Sequence, residues 1–434
     1  MNPPHLPKLP SVQELLDHPR VKGVVQRLNQ STLAQRAGSF LDDVRDSVAK
    51  RAGEWEMPSV GQIAERFARR VFGETPGGAA WINATGVVVG AAELTPPLPD
   101  SALHALIQSG GDYTVDANRG HSAATAALSD LHRGYDVAVL ASVDAALLLA
   151  TMAMAAGGRV GVLPGAAGAT SRNDWPKLGA RAGAILNEFS GQDAAGLAAV
   201  IRPPEAACDA ATDLEWPTPD GVTRIDVAPL AGSLDPAEIA LPAMPTIAAR
   251  LASGAQLVIA DGAGLLAGPS CGVVVGVPAC IAALTSHPLF EVLRASGLVC
   301  AALRTTLIET RRADRAALQL ALPTWQLISA PLENLRQRAE RLSQLMAEAP
   351  AIAAATVVES AGAWGYAGGR ALSAPTCAIV LTPKNRAVAD VHDALQHAAR
   401  PVAARLESEQ VLVDLRSVFP RWDQELVASV ESLS

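Results

Sequence analysis

The chain has 434 residues, 49% hydrophobic and 18% charged, which suffices for two or three domains with sizeable buried cores. That balance excludes a disordered chain, and a formal charge of −8 offers no global attraction to a polyanion. Aromatic residues make up only 4%, so the cores must be built mainly from Ala, Val and Leu.

In chain order, the first 75 or so residues predict a helical unit. The N-terminus, M-N-P-P-H-L-P, lacks the apolar run of a signal peptide, so a cytoplasmic location is expected. Ser11-Val12-Gln13-Glu14 has the spacing of a capping box, with Val12, Leu15 and Leu16 as the apolar stripe behind it. Leu33, Phe40, Leu41, Val44 and Val48 predict a second helix over Thr32 to Ala52, and a third is expected over Val60 to Phe72.

From Gly77 onward short apolar runs alternate with Ala-rich helical stretches. Strands are predicted at Val137–Leu140, Arg159–Leu163, Thr223–Val227, Gln256–Ala260 and Gly272–Val275, with a helix over Asp144–Ala156. This alternation predicts an α/β domain with a mostly parallel sheet. The run Val137 to Ala155 is interrupted by Ser142 and Asp144, which fits a buried strand and helix rather than a membrane span. Residues 202–222 read as a Pro-rich, acidic surface loop. A long helical region follows from Thr285 to Glu348, broken near Pro323. The remainder predicts a compact α+β unit, with strands at Ala378–Leu381 and Gln410–Leu415 around a helix at Ala387–Ala399. The expected domains are therefore 1–75, 76–310 and 311–434.

Several chemistries are excluded cheaply. The five cysteines show no C-x-x-C pair, so neither a disulfide framework nor a metal site is indicated, and small buried thiols are expected. Gly262-x-Gly264-x-x-x-Gly268 lacks dinucleotide-binding spacing, there is no G-K-[ST], and Ser233 and Ser270 lack a nucleophile elbow.

A set of motifs runs almost the length of the chain. These are Leu9 to Pro19, Ile82-Asn83-Ala84-Thr85-Gly86-Val87-Val88, Arg119-Gly120-His121, Leu265-Leu266-x-Gly268-Pro269 with Gly272 and Gly276, His287-Pro288-Leu289, Leu322-Pro323-Thr324 and Val413-Asp414-Leu415-Arg416. Together they resemble bacterial selenocysteine synthase, the L-seryl-tRNA(Sec) selenium transferase family. The resemblance implies a pyridoxal phosphate (PLP)-dependent transferase fold of the aspartate aminotransferase type, a small α+β C-terminal domain and a helical N-terminal unit. It also implies a homo-oligomer and tRNA as a partner.

The family places a Schiff-base lysine before the Leu-Leu pair; here that position is Gly264. PLP chemistry needs this amine to hold the aldehyde and move the substrate proton. The chain has lysines only at 8, 22, 50, 177 and 384. The family's phosphate-binding amides align with Ala141-Ser142-Val143, leaving the Ser142 hydroxyl, and its glutamate segment aligns with Gly165-Ala166-Ala167-Gly168. Asp226 is either the remnant partner of the PLP ring nitrogen or a strand-end Asp capping a turn. Arg119 and His121 either face a substrate or belong to a polar loop. Arg294 either binds an anion or pairs with Glu291 or Glu309. His287 reads as a helix-entry residue. The expectation is a pseudoenzyme with no PLP bound, acting as a binding or assembly component in a homo-oligomer or beside an active paralogue. The alternative is an active selenium transferase using PLP without a covalent anchor, and a third option is a new ligand in the emptied cavity.

Overall fold

A computed structural model describes residues 9–18, 21, 30–50, 60–73, 81–90, 95–111, 117–155, 157–164, 175–191, 194–204, 216–218, 221–239, 241–312, 315–367, 370–398 and 400–433. The chain divides into two compact units, Met1–Ala80 and Trp81–Ser434.

The first unit contains helices α1 (Val12–Asp17), α2 (Gln30–Lys50) and α3 (Val60–Gly73). The capping box forms: the Ser11 hydroxyl accepts from the Glu14 amide at 3.2 Å, and the Glu14 carboxylate accepts from the Ser11 amide at 2.7 Å. Leu15, Leu33, Phe40, Leu41, Ile63 and Phe67 meet in one apolar cluster, with the Phe40 and Phe67 ring centroids 5.4 Å apart. Burial of this stripe, rather than local propensity, is what stabilises helices of this length.

The second unit holds two sheets. The larger has the order β2 (Asp136–Leu140), β8 (Gly272–Gly276), β7 (Leu257–Asp261), β6 (Thr223–Val227), β5 (Leu197–Arg202), β3 (Arg159–Val162) and β4 (Ile185–Glu188). All its pairings are parallel except the two made by β8. Because parallel strands are covered on both faces, their side chains are apolar in both directions. Ala138, Ile225, Ile259 and Val274 pack under helices α6 (Val143–Ala155) and α9 (Pro278–Thr285). Val137, Val258 and Val273 pack on the opposite face, under α5 (Ala117–Leu131), α8 (Ile247–Ala252) and α10 (Gly297–Arg312). Helix α4 (Asp100–Gly110) precedes α5 in sequence, and α7 (Trp175–Arg181) lies between β3 and β4.

The long helix expected after Thr285 is divided more often than Pro323 alone predicts. Helices lie at Phe290–Leu293, Gly297–Arg312, Arg315–Ala321, Pro323–Ile328 and α11 (Leu332–Ala347). One break has a clear cause: Arg294 leaves the helix to bridge Leu140, and the Ala295 amide donates to Val139 at 3.0 Å, tying this segment to β2.

The smaller sheet has the order β1 (Ile82–Ala84), β11 (Val402–Glu407), β12 (Gln410–Asp414), β10 (Arg370–Pro383) and β9 (Ile352–Ala367), backed by α11, α12 (Val388–Gln396) and α13 (Asp423–Glu431). Strand β1, which the sequence reading places at the start of the large domain, hydrogen-bonds in parallel with β11 instead. The reason lies in two motifs that meet. The Gly86 amide donates to the Ser417 hydroxyl, and that hydroxyl donates to the Asn83 carbonyl. Gly86 has φ +82°, and a Cβ there would lie 2.5 Å from Asp414 Oδ2. Asp414 is fully buried, accepts from Thr376 at 2.8 Å and from the Arg416 amide at 3.0 Å, and burial raises its pKa.

A second buried titratable group gives a testable pH dependence. His132, at the C-terminal end of α5, is 4% exposed; its Nε2 lies 3.5 Å from the Ser233 hydroxyl and its Nδ1 has no partner among the described residues. Burial pushes its pKa down from 6.5 to about 4. The unfolded chain then binds this proton first, so the stabilising contribution is full above pH 6.5 and is lost as pH falls toward 4. We expect melting temperature to fall across that window, and His132→Leu to lose that component of the slope. Parallel slopes for the two proteins would refute this.

Candidate functional site

Three of the candidate positions, Ser142, Asp226 and Gly264, lie at or just beyond the carboxyl ends of β2, β6 and β7, where open α/β sheets present their ligand crevices. Each of these three strand ends is built by short-range hydrogen bonds that decide what its side chains can do.

After β7 the chain makes a tight loop from Asp261 to Cys271. The Gly262 amide donates to the Cys271 carbonyl at 2.9 Å, Gly268 to Gly262 at 2.7 Å, and Ala267 to Gly264 at 3.0 Å. The Asp261 carboxylate accepts from the Ala263 and Cys271 amides at 2.9 and 3.3 Å. Leu265, Leu266 and Ala267 are all buried, and the Trp325 indole donates to the Leu265 carbonyl at 3.2 Å. Gly264 faces the turn that follows β6. A Cβ added there would lie 2.4 Å from the Pro229 carbonyl oxygen and 3.3 Å from Leu230 Cα. That carbonyl is itself fixed, because it accepts from the Asp261 amide at 3.0 Å.

Asp226, at the end of β6, is fully buried. Its carboxylate sits between two guanidinium groups: Arg202 Nη1 at 3.2 Å from Oδ2, and Arg250 Nη1 at 3.2 and 3.0 Å from the two oxygens. Arg202 stands beside Asp226 in the β5–β6 register, and its guanidinium lies 4.1 Å from the centroid of the Trp216 ring. Arg250 comes from α8 and also donates to the Pro245 carbonyl. Turn capping, one of the two sequence readings, is therefore replaced by ion pairing. Arg202 and Arg250 escaped the sequence reading; the one available signal was a charge ending the apolar run Leu197–Ile201.

At β2 the chain passes through Ala141 and Ser142 into α6. The Ser142 hydroxyl accepts from the Ala145 amide at 3.1 Å, so it serves as that helix's own N-cap. The first turn of α6 carries Asp144. Burial raises the Asp261 pKa, and the Asp144 charge adds to that rise against the opposing hydrogen bonds. This helix N-terminus thus already carries the Asp144 carboxylate.

His121 and Arg294 are brought together. The His121 ring meets Phe290 edge-on at 5.6 Å, and its Nδ1 lies 3.9 Å from Cys300 Sγ. Burial lowers the His121 pKa, the Arg294 charge lowers it further, and Glu291 opposes both. Arg294 Nε pairs with Glu291 at 2.8 Å, which realises one of the two alternatives read from sequence. His287 Nδ1 accepts from the Leu289 amide, as expected of a helix-entry residue. Arg119 lies on α5, but its side chain is outside the described residues, as are the Lys177 side chain and residues 165–168. Among the described residues no group of three metal-ligating side chains occurs, and no helix is long and apolar enough to cross a membrane. The described cysteines 271, 280, 300 and 377 are all buried, and burial raises the Cys300 thiol to about 11. A cavity of about 280 Å³ lies beside Leu147, Val162, Leu186 and Ile201, with Asn187 and Glu188 at its edge, rather than over Gly264.

The family described as L-seryl-tRNA selenium transferase matches residues 230–419, a span that includes the Gly264 loop and the Asp414 motif. The chain is 29% identical over 466 residues to the L-seryl-tRNA(Sec) selenium transferase of Moorella thermoacetica, covering 98% of this chain and 96% of that protein. It is 28% identical over 463 residues to the enzyme of the same name from Serratia proteamaculans, covering 94% and 95%. The chain is thus similar, over nearly its full length, to L-seryl-tRNA(Sec) selenium transferases. Among solved structures, D-glucosaminate-6-phosphate ammonia-lyase aligns with a TM-score of 0.59 at 14% identity, over 87% of this chain and 98% of that one. The fold is shared with that protein, and an α/β unit with a mostly parallel large sheet is as expected.

The described residues do not fit the PLP that the family resemblance implies. At Gly264, which the resemblance aligns with the lysine, a backbone carbonyl occupies the space of a Cβ; Asp226, one reading of which is a ring partner, is held by two arginines; and the Ser142 hydroxyl, aligned with the phosphate-binding amides, caps its own helix. The loop geometry predicts that Gly264→Ala lowers unfolding free energy by ~1–3 kcal/mol through overpacking. Urea titration of the two proteins measures it, and an unchanged midpoint would show that the Pro229 turn yields freely.

Proposed function

We propose that this chain is a selenium transferase family member that has given up aldimine catalysis and serves as a binding or assembly component. The observation that carries the reading is Gly264 against the Pro229 carbonyl, where the family resemblance requires an amine. No lysine occurs between residues 178 and 383 to take its place. The chain would act in the cytoplasm as a homo-oligomer, or in a mixed assembly with an active paralogue, with tRNA as the partner carried over from relatives whose names specify seryl-tRNA(Sec).

The direct test is spectroscopic. Protein purified after expression with PLP is expected to show no visible imine band at about 410–430 nm and no label after borohydride reduction. A band that borohydride removes, with label on a lysine peptide, would overturn the proposal. The same protein is expected to leave a strain lacking selenocysteine synthase uncomplemented while remaining soluble and folded. Complementation would instead establish an active seryl-tRNA(Sec) selenium transferase.

A further inference from the structure

The cluster at the end of β6 carries an argument beyond the missing lysine. Asp226, Arg202 and Arg250 have side-chain exposures of 0%, 3% and 1%. They come from β6, β5 and α8, so the contact joins three separate elements of the large sheet layer. Three residues beyond Asp226, the same turn supplies the Pro229 carbonyl that faces Gly264. One turn therefore spans both positions at which the fold's cofactor would be gripped, the ring partner and the imine anchor.

We infer that Asp226, Arg202 and Arg250 form a permanent ion-pair hub in place of a cofactor ring, and that the turn carrying Asp226 closes the neighbouring anchor position, so that this chain holds no pyridine-phosphate ligand there. Releasing Asp226 to a ligand ring would leave two buried guanidinium groups without this carboxylate, and a buried charge that loses its partner is strongly destabilising. A pyridinium could compensate one carboxylate, but it would add a further cation beside the two arginines. Asp144 in the first turn of α6 acts in the same direction, because its carboxylate disfavours a phosphate at that end. The consequence is that restoring an amine at position 264 does not restore the site. This inference rests on the reading of the chain as a member that has lost aldimine chemistry, and it adds that non-covalent binding is lost as well.

The experiment uses the full chain with two probes, PLP and pyridoxine 5′-phosphate; the second has the same ring and phosphate without the aldehyde. Equilibrium dialysis is expected to find no saturable binding of either by the parent protein or by Gly264→Lys. Asp226→Asn is expected to lower the melting temperature by about 5–10 °C, as loss of a buried ionic partner would. Arg202→Met alone, a milder change, is also expected to lower it, and the double variant should lose less than the sum of the two. If Asp226→Asn yields no folded protein, Arg202→Met and Arg250→Met supply the same comparison, with a double variant again losing less than the sum. Saturable binding of pyridoxine 5′-phosphate that Asp226→Asn abolishes, with an unchanged melting temperature, would overturn the hub. The catalytic reading fails separately, through a borohydride-sensitive band, which can arise from a lysine elsewhere while the ion pairs stay intact.

Discussion

A carboxylate between two guanidinium groups sets the arrangement of the large domain's functional edge. Asp226 fixes where β6 ends, Arg202 ties that end to β5, and Arg250 ties it to α8. From that fixed point the chain turns through Pro229, whose carbonyl receives the Asp261 amide and so positions the start of the next loop. The loop's glycines then permit backbone to approach backbone at distances no side chain would allow. Each step depends on the previous one. In a low-dielectric interior such a hub is costly to assemble and more costly to break, which makes it a specifier of geometry more than a reserve of stability.

Much of the architecture was legible because apolar periodicity and turn chemistry act locally. Strand Thr223–Val227 lies where its alternation with flanking Gly221 predicts, and the helix predicted from Asp144 begins one residue earlier, after the Ser142 cap. The long hairpin of β9 and β10 was not legible over its full length. The sequence reading places a strand there only at Ala378–Leu381; Gly362 and Gly365 sit within β9, where Thr376 and Asp414 approach the first and Val89 the second. Those approaches are tertiary and leave no periodic signal.

The candidate site shows the same division. Sequence revealed which groups were missing, since the absence of a lysine needs no structure. It could not reveal what had replaced them. Arg202 and Arg250 each lie 24 residues from Asp226 in opposite directions, and no spacing rule connects such positions. Likewise the pairing of Arg294 with Glu291 follows an (i, i+3) pattern visible in sequence, whereas its approach to His121 depends on how α5 packs.

The parallel pairing of β1 with β11 also bears on how the protein is made. Ile82 to Ala84 are synthesised long before their partners Val402 to Ala404. The smaller sheet therefore cannot complete its edge until Val402 to Ala404 have been made, and the Gly86–Ser417 contact must close across 331 residues. Such non-local closure slows folding and leaves an unpaired edge exposed in the meantime. A ribosome-bound intermediate of this protein would carry its large sheet first and its latch last.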